Sequence, residues 1–85
     1  MLQKVIKIGL QDGMEARPVA MFVQIAGQYE SHITVIYNGL KVNAKSIMGM
    51  MSLGLARGEE ITIVTEGSDE AEAIKGIETY LTAKD

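Results

Sequence analysis

Eighty-five residues, 47% of them hydrophobic and 22% charged, with no cysteine, describe one small folded domain that has neither a disulfide framework nor a thiolate metal site. The net charge of −3 and the scatter of the eight Lys and Arg residues argue against direct nucleic-acid binding. No apolar run approaches the roughly 20 residues that cross a bilayer, so no membrane span is expected.

The chain opens with Met1-Leu2-Gln3-Lys4-Val5, which lacks the apolar core of a secretory signal. With the lack of cysteine, this fits a reducing, cytoplasmic setting. Ile6 and Ile8 share one face of a short strand, Val5 and Lys7 the other, and Gly9 and Asp12-Gly13 end it in a loop. Pro18 falls where a first helical turn tolerates proline, and Val19, Phe22, Val23 and Ala26 follow at helical spacing until Gly27 closes the helix. Ile33, Val35 and Tyr37 then alternate with His32, Thr34 and Ile36 up to Asn38-Gly39, a strong hairpin signal. Leu40, Val42 and Ala44 alternate with Lys41 and Asn43 in the return strand.

Ser46 can cap a short helix running to about Ser52, with Gly54 just beyond it. After the turn at Arg57-Gly58, Ile61, Ile63 and Thr65 mark a fourth strand. Ser68 is read as the cap of a last helix whose start is acidic (Asp69, Glu70, Glu72), as the helix dipole prefers. The apolar stripe of that helix is Ala73, Ile74, Ile77 and Leu81. The order β-α-β-β-α-β-α, with one apolar face per strand and one stripe per helix, implies an α+β fold in two layers. Helices lie on one side of a mainly antiparallel sheet.

Such a chain buries only about 60% of the surface its unfolded form exposes, which leaves no room for a deep pocket. Apolar residues that no core stripe absorbs therefore stand out. Ile47, Met48, Met50 and Met51 point in too many directions for one buried face, and Met21 and Ile25 lie off the first helix's stripe. Methionine is a good core filler, so burial is the default for each. The surplus on two helices nonetheless predicts an exposed sticky patch. His32, the one histidine, falls on the solvent side of its strand. Glu15 is a lone carboxylate with no partner acid or ligand set around it, so neither catalysis nor a metal or cofactor is expected.

Three segments together resemble the HPr family of small phosphocarrier proteins along essentially the whole chain. Gly13-Met14-Glu15-Ala16-Arg17-Pro18-Val19-Ala20 is similar to the family's active-site signature. Asn43-Ala44-Lys45-Ser46-Ile47-Met48-Gly49-Met50-Met51-Ser52-Leu53-Gly54 is similar to its regulatory serine segment, and Gly58-Glu59-Glu60-Ile61-Thr62-Ile63 to the turn and strand that follow. The resemblance implies an open-faced β-sandwich: a four-stranded antiparallel sheet with three helices on one face, formed by a single domain over residues 1–85.

In the family, a histidine receives a phosphoryl group from enzyme I and passes it to sugar permeases; this chain has Glu15 in that place. An imidazole nitrogen is a good nucleophile near neutral pH, whereas a carboxylate is a weak one that repels phosphate. Ala16 offers no hydroxyl, and Arg17 is the only nearby cation of the signature. A lost histidine beside a kept serine segment is the pattern of the catabolite-repression HPr paralogues, although these usually carry glutamine there.

The resemblance therefore implies a regulatory protein and not an enzyme, phosphorylated on Ser46 by HPr kinase/phosphorylase. Its partner would be a LacI-type regulator of the catabolite control protein A kind, which would itself make the DNA contact. Arg17, Ala20, Met21 and Gln24 would supply one side of that contact, and Ile47, Met48 and Met51, beside Ser46, the other. Two alternatives stand beside this reading. One is a phosphoryl carrier using Glu15 as an acyl-phosphate acceptor; the other is a structural or small-ligand-binding module that has lost both sites. The oligomeric state is left open.

Overall fold

A computed structural model of the protein describes residues 1–11 and 13–83; the loop position Asp12 lies outside the described residues. The elements are β1 (Leu2–Lys7), α1 (Ala16–Gly27), β2 (His32–Tyr37), β3 (Leu40–Asn43), α2 (Ile47–Met51), β4 (Glu60–Glu66) and α3 (Glu70–Leu81). The strands form one sheet in the order β1-β4-β2-β3, every neighbouring pair antiparallel. Register follows from the period of two, because a one-residue slip would turn each apolar row to solvent. Ile6 opposes Ile61, and Val35 opposes Ile63. These residues and Ile33 are buried, while Val5 and His32 on the other face are exposed.

All three helices contribute to the same core. Val19, Phe22 and Ala26 of α1, Met50 of α2, and Ala73, Ile77 and Leu81 of α3 are fully buried against the sheet's apolar face. Each large side chain so buried stabilises the fold by about 1.5–3 kcal/mol relative to its exposed state. The hairpin between β2 and β3 turns at Asn38 (φ 55°) and Gly39 (φ 83°), the two left-handed positions that a type I′ turn requires.

Three local expectations are corrected. The last helix is capped at Asp69, not Ser68, and Asp69 makes no side-chain cap bond. Its carboxylate instead accepts from the backbone N–H groups of Glu30 and Ser31, each at 2.9 Å, and from the Ser31 hydroxyl. A charged acceptor is worth more on those distant donors than on its own helix, since Ser31 is buried and cannot turn to water. Ile25 is not part of an exposed patch: it is half-buried in a groove between α1 and α3, with Tyr29, Gly76 and Tyr80. Leu40 opens β3 at the hairpin end and is 57% exposed, so the inward stripe of that strand begins only at Val42.

Candidate functional site

The chain around Glu15 is built by close backbone contact. Gly13 has a φ of +66°, and a Cβ there would lie 2.9 Å from the Leu55 carbonyl oxygen. Glycine therefore lets this loop lie against residues 55–57. The next amide, Met14 N–H, donates to that same Leu55 oxygen at 3.0 Å, and the Met14 side chain is buried. The segment receiving it is itself held by Glu59, whose carboxylate accepts from the Ala56 N–H at 2.7 Å and from the Tyr37 hydroxyl. The Tyr37 bond, then the Ala56 amide, holds the Glu59 carboxyl below its ordinary range, while the same bond raises the Tyr37 phenol.

Glu15 follows as the N-cap of α1, in extended conformation and with no side-chain cap bond, while its carbonyl accepts from Val19 N–H at 2.9 Å. Its carboxylate is left on the surface. Beside it is a concavity of about 520 Å³, lined among others by Glu15, Arg17, Pro18, Met21 and Tyr80. The Tyr80 hydroxyl donates to the Pro18 carbonyl at 3.1 Å, which fixes the last turn of α3 to the first turn of α1 and makes one wall. Sequence reading did not assign Tyr80 to this place. The bond spans 62 residues, and only the neighbouring stripe residue Leu81 hinted at how Tyr80 faces.

Along α1, Arg17, Ala20, Met21 and Gln24 form one exposed stripe at helical spacing, opposite the buried Val19, Phe22 and Ala26. The neighbouring α2 packs against α1. Ser46 is its N-cap and accepts from the Gly49 N–H through Oγ at 3.1 Å. Upstream, the Asn43 carbonyl accepts from Ser46 N–H at 3.0 Å and the Asn43 side chain accepts from Lys45 N–H at 2.8 Å. Lys45 Nζ reaches the Tyr29 carbonyl at 2.6 Å and ties this turn to the end of α1. The helix then splits its apolar residues. Met50 is buried, whereas Ile47, Met48 and Met51 are exposed, Met48 at 82%.

The two groups of candidate residues thus lie on adjoining helices, with the capped serine at one helix start and the carboxylate at the other. His32 is on the far, open side of the sheet, away from both.

Comparison with known proteins agrees with the fold. Residues 2–83 match the family model for the PTS HPr component phosphorylation site. The HPr-like protein Crh of Halalkalibacterium halodurans is 46% identical over 95% of this chain and 96% of its own. The phosphocarrier protein HPr of Bacillus anthracis superposes with a TM-score of 0.92 at 46% identity, covering 94% of this chain and 95% of that one. Crh of Bacillus subtilis, solved as a domain-swapped dimer, gives a TM-score of 0.76 at 43% identity, over 95% of this chain and 93% of that one. A match that runs through both the Glu15 loop and Ser46, with relatives nearly half identical along almost their entire length, means that the chain belongs to the HPr family, with Crh-like proteins among its relatives.

Proposed function

We propose that this protein, as one HPr-like domain, is a cytoplasmic regulator of carbon catabolite repression that is switched by phosphorylation of Ser46 and carries no phosphoryl group on Glu15. The observation that carries the reading is the pairing of a capped serine with exposed apolar side chains on one five-residue helix. A phosphate on Ser46 adds about −1.5 to −2 charge beside first-turn N–H groups, where the cap already places an oxygen. It therefore changes the surface without unfolding the helix. The partner we infer is a LacI-type regulator of the catabolite control protein A kind. It would meet Arg17, Ala20, Met21 and Gln24 on α1 and Ile47, Met48 and Met51 on α2, and the modifying enzyme would be HPr kinase/phosphorylase.

Glu15 supports the same reading from the other side. Its carboxylate stands at the helix start where the family has its histidine nucleophile, and a carboxylate whose charge is not screened is a weak nucleophile that repels an approaching phosphate. The test is incubation with phosphoenolpyruvate and enzyme I. The native chain should remain unlabelled, and Glu15→His should gain some label, because Gly13, Arg17 and Pro18 still frame the loop. An acid-stable, hydroxylamine-labile phosphate on Glu15 would refute the proposal in favour of an acyl-phosphate carrier.

A further inference from the structure

The chain has six methionines and no cysteine, so any oxidation of its sulfur must fall on thioethers. The fold divides them sharply. Met14 and Met50 are in the core at 3% and 0% exposure, whereas Met1, Met21, Met48 and Met51 are exposed at 72%, 47%, 82% and 45%. Three of the four exposed ones are carried by α1 and α2, two helices that pack against each other. Met50 and Met51 are consecutive, one buried and one in solvent, so exposure and not local sequence sets which sulfur an oxidant can reach.

We propose that Met48, followed by Met21 and Met51, is a site of reversible oxidation to methionine sulfoxide, and that this modification turns off docking at the α1–α2 face. The inference rests on the reading of that face as a partner surface. In the step, the thioether sulfur attacks one oxygen of hydrogen peroxide: an S–O bond forms, the O–O bond breaks, and the other oxygen takes up the proton of the first and leaves as water. Sulfur loses two electrons and the peroxide gains them. A thiol-dependent methionine sulfoxide reductase reverses it, with a dithiol oxidised to a disulfide and the oxygen released as water.

The consequence for binding is physical. A thioether is soft and apolar, and adapts to a partner's surface without requiring hydrogen bonds. A sulfoxide oxygen is a strong acceptor that must be desolvated in a dry interface, so each oxidised contact resists burial. On the free protein the same oxygen stays in water, and the fold is not stressed.

The experiment treats the folded, Ser46-phosphorylated protein with hydrogen peroxide and follows each methionine by peptide mapping and mass spectrometry. Met48 should gain oxygen first, Met21 and Met51 later, and Met14 and Met50 not while the circular dichroism is native. Affinity for the LacI-type regulator should fall by about ten- to a hundredfold and return after treatment with sulfoxide reductases of both stereospecificities. A Met21→Leu/Met48→Leu/Met51→Leu variant keeps size and apolarity. Whatever its own affinity for the regulator, that affinity should be the same before and after peroxide, although its Met1 still oxidises. Equal oxidation rates at Met48 and Met50 would overturn the proposed site. Undiminished affinity after Met48 oxidation would overturn the switch alone, and an unoxidised phosphoprotein that fails to bind would overturn the docking reading and the switch with it.

Discussion

Replacing Met50 with alanine, and separately Met48 with alanine, perturbs two side chains on one five-residue helix that the fold treats in opposite ways. Met50 is fully buried among the residues of the core, so truncation removes its contacts and leaves a cavity; such changes cost about 2–5 kcal/mol. For a domain of this size each kcal/mol lowers Tm by roughly 4–8 °C, so the Met50→Ala midpoint should fall by about 8–40 °C. Met48 is 82% exposed, and a surface truncation of this kind is worth within about 0.5 kcal/mol, or a few degrees. Alanine is the best helix former, so propensity opposes neither change. Thermal melts followed by circular dichroism, with urea titrations for ΔG, read both variants. Should Met48→Ala melt as low as Met50→Ala, the side chain is core and the patch argument fails.

Three further expectations follow from individual contacts. Ser46→Ala removes the acceptor of the Gly49 N–H and should cost about 1 kcal/mol in a urea titration, apart from any effect on phosphorylation. Asp69 is held below its ordinary value of 3.8, first by the Ser31 hydroxyl and then by the Glu30 amide. It therefore contributes stability that is present above its unfolded pKa and lost as pH falls through the lower folded one. Asp69→Asn should flatten the acid limb of a stability-versus-pH curve below about pH 4, and an unchanged slope would show that the clamp does not depend on ionisation. Tyr37→Phe deletes the first cause of the depressed Glu59 value, so the Glu59 carboxyl carbon should titrate closer to its ordinary range by NMR.

What the sequence made legible was local. Alternation placed Ile33 and Val35 inward, Asn38-Gly39 set the hairpin, and Ser46 capped α2 as its position before the methionines implied. Within a short helix the pattern also showed that Ile47, Met48, Met50 and Met51 could not all be core, because one stripe cannot hold their four directions. The expectations that missed involve partners far away in the chain. Asp69 was read as part of an acidic first turn, yet its carboxylate serves Glu30 and Ser31, 39 and 38 residues back. Ile25 lay off its own helix's stripe, but α3 supplies the groove that half-buries it. The same holds for Tyr80 on Pro18 and Tyr37 on Glu59. Periodicity reports which face is apolar; it carries no information about which distant polar atom a side chain will meet.

Whether Ser46 is the switch is decided by regulator binding of the native chain and of Ser46→Ala, before and after ATP and HPr kinase/phosphorylase. One phosphate, mapped to Ser46, and tight binding only by that form are expected. A phosphate dianion can accept charge-assisted hydrogen bonds from a partner arginine worth about 1.5–3 kcal/mol each. Two of them, less desolvation, amount to roughly a ten- to thousandfold gain in affinity. Ser46→Ala should take up no label and bind weakly under both conditions. Binding of Ser46→Ala as tight as that of the phosphorylated native chain would mean that Ser46 does not control docking, and would make the protein a constitutive adaptor instead of a switch.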